Sequence, residues 1–98
     1  MLLAQAVTLA EARSHVAALA ARALTFGASV EYERVLLQLD WMHGDHIAGI
    51  HPVLLDDRDV VFGIAESAIE GLVDHGVDVL QVELVLDMLE AAREKDAP

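Results

Sequence analysis

The residues best suited to chemistry lie near the middle of the chain, where carboxylates and imidazoles occur at short spacing. They are Asp40, His43, His46 and His51, and both side-chain types are common metal ligands. Asp40 and His43 are three residues apart, so on a helix they share one face, as in half of a metal site within a helical bundle. This cluster predicts, as one of two alternatives, a metal-binding helical-bundle protein.

The same histidines also have an ordinary interpretation. His43 and His75 fall in the last turns of predicted helices, where an imidazole complements exposed carbonyl groups. The sequence contains no Glu-x-x-His pair, the motif that carboxylate-bridged metal bundles place on a second helix. His15 follows Glu11 by four residues and is expected on the polar surface of the first helix.

No other pattern in the sequence predicts catalysis. There is no cysteine to act as a nucleophile or thiolate ligand, and no phosphate-binding loop or nucleophile elbow. The 17 acidic residues make close carboxylate pairs expected by coincidence. We therefore assign no catalytic residue and no cofactor, and we expect a protein that is not an enzyme.

The charge of the chain narrows the class of partner. Six Lys and Arg residues against 17 Asp and Glu residues give a net charge of -11, which repels nucleic-acid phosphates and anionic membranes and attracts basic proteins. The first residues lack a basic segment, so a secretory signal is not expected. Together with the absence of cysteine, this predicts a cytoplasmic location.

Cap residues and glycines at helical distances predict an all-α fold. Thr8 with Glu11, Ser29, Asp56 or Asp57, and Asp78 have the positions of N-terminal caps, and Gly27, Gly44 and Gly76 those of C-terminal residues. The predicted helices span about 9–26, 30–43, 57–75 and 79–93, with a frayed tail over 94–98, in a single domain 1–98. The alternative for the first helix is a backward extension over residues 2–7, which are mostly good helix formers. Short gaps within each pair predict two antiparallel helix hairpins, joined by a packed apolar connector over 44–55.

The helices are apolar over more of their circumference than one small bundle needs. Helix 2 carries two apolar stripes, and the apolar residues of helix 4 cover about two-thirds of its circumference. We therefore predict an interaction surface, with a compact monomer as the competing interpretation. Its expected anchors are Tyr32, Leu37, Trp41, Leu84 and Met88.

Arg13 is predicted to lie opposite the polar stripe of helix 1, so it needs either water or a carboxylate. Glu33 and Asp40 are the acids considered as its partners across an interface. The predicted function is a non-enzymatic protein-interaction module of the adaptor, chaperone, immunity or antitoxin type. We expect a homo-oligomer, with a dimer favoured, or a complex with a basic protein.

Overall fold

The computed structural model describes residues 3–44 and 49–96. Within these ranges the chain forms helices α1 (Leu3–Ala21), α2 (Phe26–His43), α3 (Arg58–Gly71) and α4 (Val79–Asp96), and a 3-10 turn over Leu72–His75 extends α3. The helices pack into a small four-helix bundle, which confirms the predicted fold class.

The bundle has one long crossover. Helix α1 packs on α2 and α3, and α2 packs on α4, so α2 and α3 occupy opposite corners. Because α1 runs antiparallel to both, the connector must travel the length of the bundle. It does so along α1, where the His51 N–H donates to Ser14 Oγ at 2.9 Å and the Arg22 guanidinium donates to the Val53 carbonyl at 2.6 Å.

The predicted capping roles of Thr8 and Ser29 are wrong, because both side chains make other hydrogen bonds. Thr8 lies inside α1 and donates to the Ala4 carbonyl at 3.0 Å, so α1 begins at Leu3. Thr25 caps α2 by accepting from Ala28 N at 3.1 Å, while Ser29 donates to the Ala20 carbonyl. Gly27 is therefore part of α2 rather than the end of α1.

The other predicted caps are closer to the structure. The Asp57 carboxylate accepts from the backbone N–H groups of Asp59 and Val60, which begins α3. Gly76 has a φ of 89°, a left-handed conformation that favours glycine and closes the turn before α4.

The core runs between the four helices, and α1 is its most enclosed member. Every residue of α1 from 12 to 16 is buried, because α2, α3 and the connector cover it from three sides. On α4 only a narrow stripe of apolar residues is buried, at Val82, Val85, Leu89 and Ala92. The wide apolar arc of α4 therefore continues onto the surface.

Helix α4 ends at a later residue than predicted. Helix α4 continues to Asp96, which is 4% exposed. Its carboxylate accepts from Leu24 N at 2.7 Å and forms an ion pair with Arg58. A frayed tail is thus wrong for residues 94–96, and residues 97–98 lie outside the described ranges.

Candidate interaction surface

Two stripes of apolar side chains lie side by side on the outer surface of the bundle. On α2, Leu37 and Trp41 are one turn apart and are 67% and 73% exposed. On α4, Leu80, Leu84 and Met88 follow one another at four-residue spacing, which places them on one helix face. Helix α2 packs directly on α4, and the two stripes meet where Leu37, Trp41 and Met88 line one groove. We call these five residues the α2–α4 face.

An open groove of about 450 Å³ crosses this face. It is lined by Leu37, Trp41 and Met88, with Arg34 and Gln38 beside them. Three of the five predicted anchors therefore lie around one groove, although they come from two helices that are distant in sequence. Leu84 is 49% exposed and extends the α4 stripe by one turn.

Charged residues of both signs border the α2–α4 face. Arg34 lines the groove, and its 65% exposed side chain is 3.7 Å from Glu31, which is also 3.3 Å from Lys95. A long ion pair with an exposed partner contributes little stability. Glu83 and Asp87 are exposed on α4 beside the apolar stripe. Arg34 can therefore exchange Glu31 for an acidic group of a partner at small cost.

Tyr32, the remaining predicted anchor, is not on this surface. It is 1% exposed and lies on the other apolar stripe of α2, which faces the core with Val35 and Leu39. Burial raises the pKa of Tyr32, and the nearby Arg58 and Arg93 charges offset part of that increase. Its assignment as an interface residue is wrong.

The predicted metal ligands lie in separate surroundings. Asp40 pairs with Arg13, and His43 is buried with its Nδ1 2.7 Å from the Leu39 carbonyl oxygen. His51 is exposed on the connector, and His46 lies outside the described residues. Across residues 3–44 and 49–96, no three His, Asp or Glu side chains are placed to hold a metal ion.

Arg13 finds its carboxylate inside the subunit. Its Nε lies 2.8 Å from Asp40 Oδ1, so α1 and α2 are joined by an ion pair rather than two subunits by an interfacial one. Glu33, the other acid considered, is exposed. Helical periodicity showed that Arg13 lies on the apolar side of α1 and needs a partner. It could not show which acid is the partner, because that depends on how α1 and α2 pack.

His15 also differs from its predicted position. It is buried rather than on the polar surface, and its Nδ1 is 2.7 Å from the Glu11 carbonyl oxygen. The connector covers it, since the His51 ring lies edge-on to the His15 ring with 6.1 Å between centroids. Helical periodicity alone does not reveal that a connector will cover this side of α1.

Comparisons with protein-family models, with curated proteins and with solved structures gave no match. None of the helices in the described ranges combines the length and the apolar character needed to cross a bilayer.

Proposed function

We propose that this protein is a non-enzymatic interaction module whose α2–α4 face binds a second copy of the same chain. The observation that carries the proposal is the groove in which Leu37, Trp41 and Met88 meet. Tryptophan and methionine are enriched at protein interfaces, and buried tryptophans frequently dominate the binding energy. Methionine adds a flexible side chain that adapts to an opposing surface.

The arrangement of these residues separates them from ordinary exposed apolar groups. Phe26, the first residue of α2, and Leu54, on the connector, are strongly exposed too. Neither lines the groove, and single exposed apolar residues are normal in folded proteins. The α2–α4 face instead continues across two packed helices. A contiguous apolar surface of this kind is typical of an interaction site.

A two-fold contact between two α2–α4 faces also suits the local charges. In a two-fold interface every contact occurs twice, once in each direction. Arg34 of each copy can therefore approach Asp87 or Glu83 of the other copy. This pairing opposes the repulsion between two chains of charge -11. Salt also screens that repulsion beyond about 8 Å at physiological ionic strength.

Native mass spectrometry of the untagged protein, purified without chelator, tests the proposal. We expect a metal-free dimer. Leu37→Asp and Leu84→Asp should give monomers with unchanged helicity, because each places a charge in the contact. Leu54→Asp is the matched control, since Leu54 is 89% exposed on the connector, and it should remain dimeric.

Other outcomes of the same spectra contradict the proposal. A wild-type monomer would leave the α2–α4 face to a basic protein partner, the other occupant that the acidic charge favours. A stoichiometric metal adduct that is lost in a His43→Ala, His46→Ala double variant would instead support the metal-binding alternative.

A further inference from the structure

A second cavity lies at the end of the bundle where α3 begins and α4 ends, away from the α2–α4 face. Its volume is about 230 Å³, and its lining includes Tyr32, Arg58, Phe62 and Arg93, with Asp59 and Asp96. The cavity combines an aromatic wall, a phenol and two guanidinium groups. This combination points to a ligand with a hydrogen-bond acceptor.

The phenol of Tyr32 is a buried donor that the protein does not use. Tyr32 is 1% exposed, yet its hydroxyl makes no hydrogen bond to any residue in the described ranges, and the oxygen is not sealed from the cavity. Buried polar groups nearly always have a hydrogen-bond partner. The hydroxyl therefore takes its acceptor from the cavity, where either water or a ligand can supply one.

Two arginine side chains lie in the cavity lining with the Tyr32 hydroxyl. They are Arg58 and Arg93, and Arg58 is ion-paired with Asp96, which lines the cavity too. The Arg93 guanidinium carbon lies 4.4 Å from the centre of the Phe62 ring, an arrangement that holds the guanidinium in place. Arg93 also donates to Glu90 at 2.5 Å. Arginine presents several donors in one plane, so each of these contacts leaves further N–H groups for a ligand.

Basic residues are concentrated at this end of a strongly acidic chain. Four of the six Lys and Arg residues are Arg22 at the end of α1, Arg58 at the start of α3, and Arg93 and Lys95 in the last turns of α4. Because α1 and α4 end where α3 begins, all four lie toward one end of the bundle. Asp59, Glu90 and Asp96 lie at the same end, so these cations lower the negative charge there without reversing it.

We propose that this cavity binds a small carboxylate, which accepts a hydrogen bond from the Tyr32 hydroxyl and from the guanidinium groups of Arg58 and Arg93. Carboxylates match the planar donor geometry of arginine. The neighbouring Asp59 and Asp96 disfavour an anion with two charges, such as phosphate. The volume suits a small acid or the carboxylate of a peptide end rather than a large cofactor.

The only tyrosine of the chain gives a direct test, because tyrosinate absorbance reports on Tyr32 alone. A bound carboxylate stabilises the protonated phenol that donates to it, so sodium propionate should raise the titration midpoint of Tyr32 in a saturable manner. Sodium chloride and propylammonium chloride at equal ionic strength are the controls. Equal midpoints in all three salts would overturn the proposal.

Calorimetric titration with propionate separates a specific site from a general charge effect. Tyr32→Phe and Arg93→Gln should each weaken binding about tenfold or more, since each removes a hydrogen bond to a charged group. Arg34→Gln removes an arginine outside the cavity and should leave the affinity unchanged. Equal weakening by Arg34→Gln and Arg93→Gln would contradict the assignment.

A short glycine peptide, prepared with either a free or an amidated C-terminus, shows whether the carboxylate comes from a peptide end or from a free small acid. Tighter binding of the free acid than of propionate, with loss in the amidated form, identifies the end of a peptide chain as the ligand. Tighter binding of propionate identifies a free small acid. Absence of binding by both compounds would overturn the proposal.

Discussion

Removal of the Asp96 carboxylate should cost a large part of the stability of the bundle. In the structure this group is 4% exposed, accepts from Leu24 N and pairs with Arg58, so it joins the end of α4 to the α1–α2 turn and to the start of α3. A hydrogen bond to a charged group contributes about 1.5–3 kcal/mol. The Arg58 side chain is 34% exposed, so water recovers part of its loss.

We therefore expect Asp96→Ala to lower the free energy of unfolding by about 3 kcal/mol, which is a large fraction of the roughly 5–15 kcal/mol typical of a domain. For a domain of this size the midpoint of thermal unfolding should fall by about 12–24 °C. Urea unfolding followed by far-ultraviolet circular dichroism measures the free energy, and a thermal scan checks it.

Glu94→Ala is the matched control for this prediction. It removes one acidic group from the same helical turn, but Glu94 is exposed, so the change in free energy should stay within about 0.5 kcal/mol. Equal effects of the two substitutions would show that net charge, rather than the contacts of Asp96, sets the stability. That result would refute the reasoning.

Four further predictions concern single positions. Thr25→Ala should cost about 1 kcal/mol in urea unfolding, because Thr25 caps α2; an unchanged midpoint would contradict this role. Gly63→Ala should stabilise by up to about 1 kcal/mol, since no atom lies within 4 Å of the added methyl group and alanine favours a helix. Gly76→Ala should instead destabilise by about 1 kcal/mol, because its φ of 89° suits glycine; the same sign for both glycines would be inconsistent with the two backbone conformations. Burial raises the pKa of Tyr32, so the native state keeps its phenolic proton to a higher pH than the unfolded state does. Stability should therefore fall as pH rises above about 10 through the native pKa, and Tyr32→Phe should remove that component of the pH profile.

The number and order of the helices were predictable because their ends carry local signals. Asp57 and Gly76 act through contacts within one turn, so the sequence nearby is sufficient to identify them. Thr25 and Ser29 both have cap-forming side chains, and the packing of Ser29 onto the Ala20 carbonyl decides between them. A local pattern does not contain that contact between the end of α1 and the start of α2.

The interaction surface was predictable only in part, for a related reason. Periodicity shows that α2 has two apolar stripes, but it does not show which stripe faces the core. Tyr32 belongs to the buried stripe, whereas Leu37 and Trp41 belong to the exposed one. The role of Asp96 was also missed, because its partners at Leu24 and Arg58 are distant in sequence.

The single tryptophan of the chain tests the claim that the α2–α4 face joins two copies. Trp41 is exposed on that face and lines its groove, so its fluorescence emission reports burial there and nowhere else. We expect the emission to shift to shorter wavelength as protein concentration rises, and Leu84→Asp to abolish the shift. Emission typical of an exposed indole at every concentration would contradict the claim.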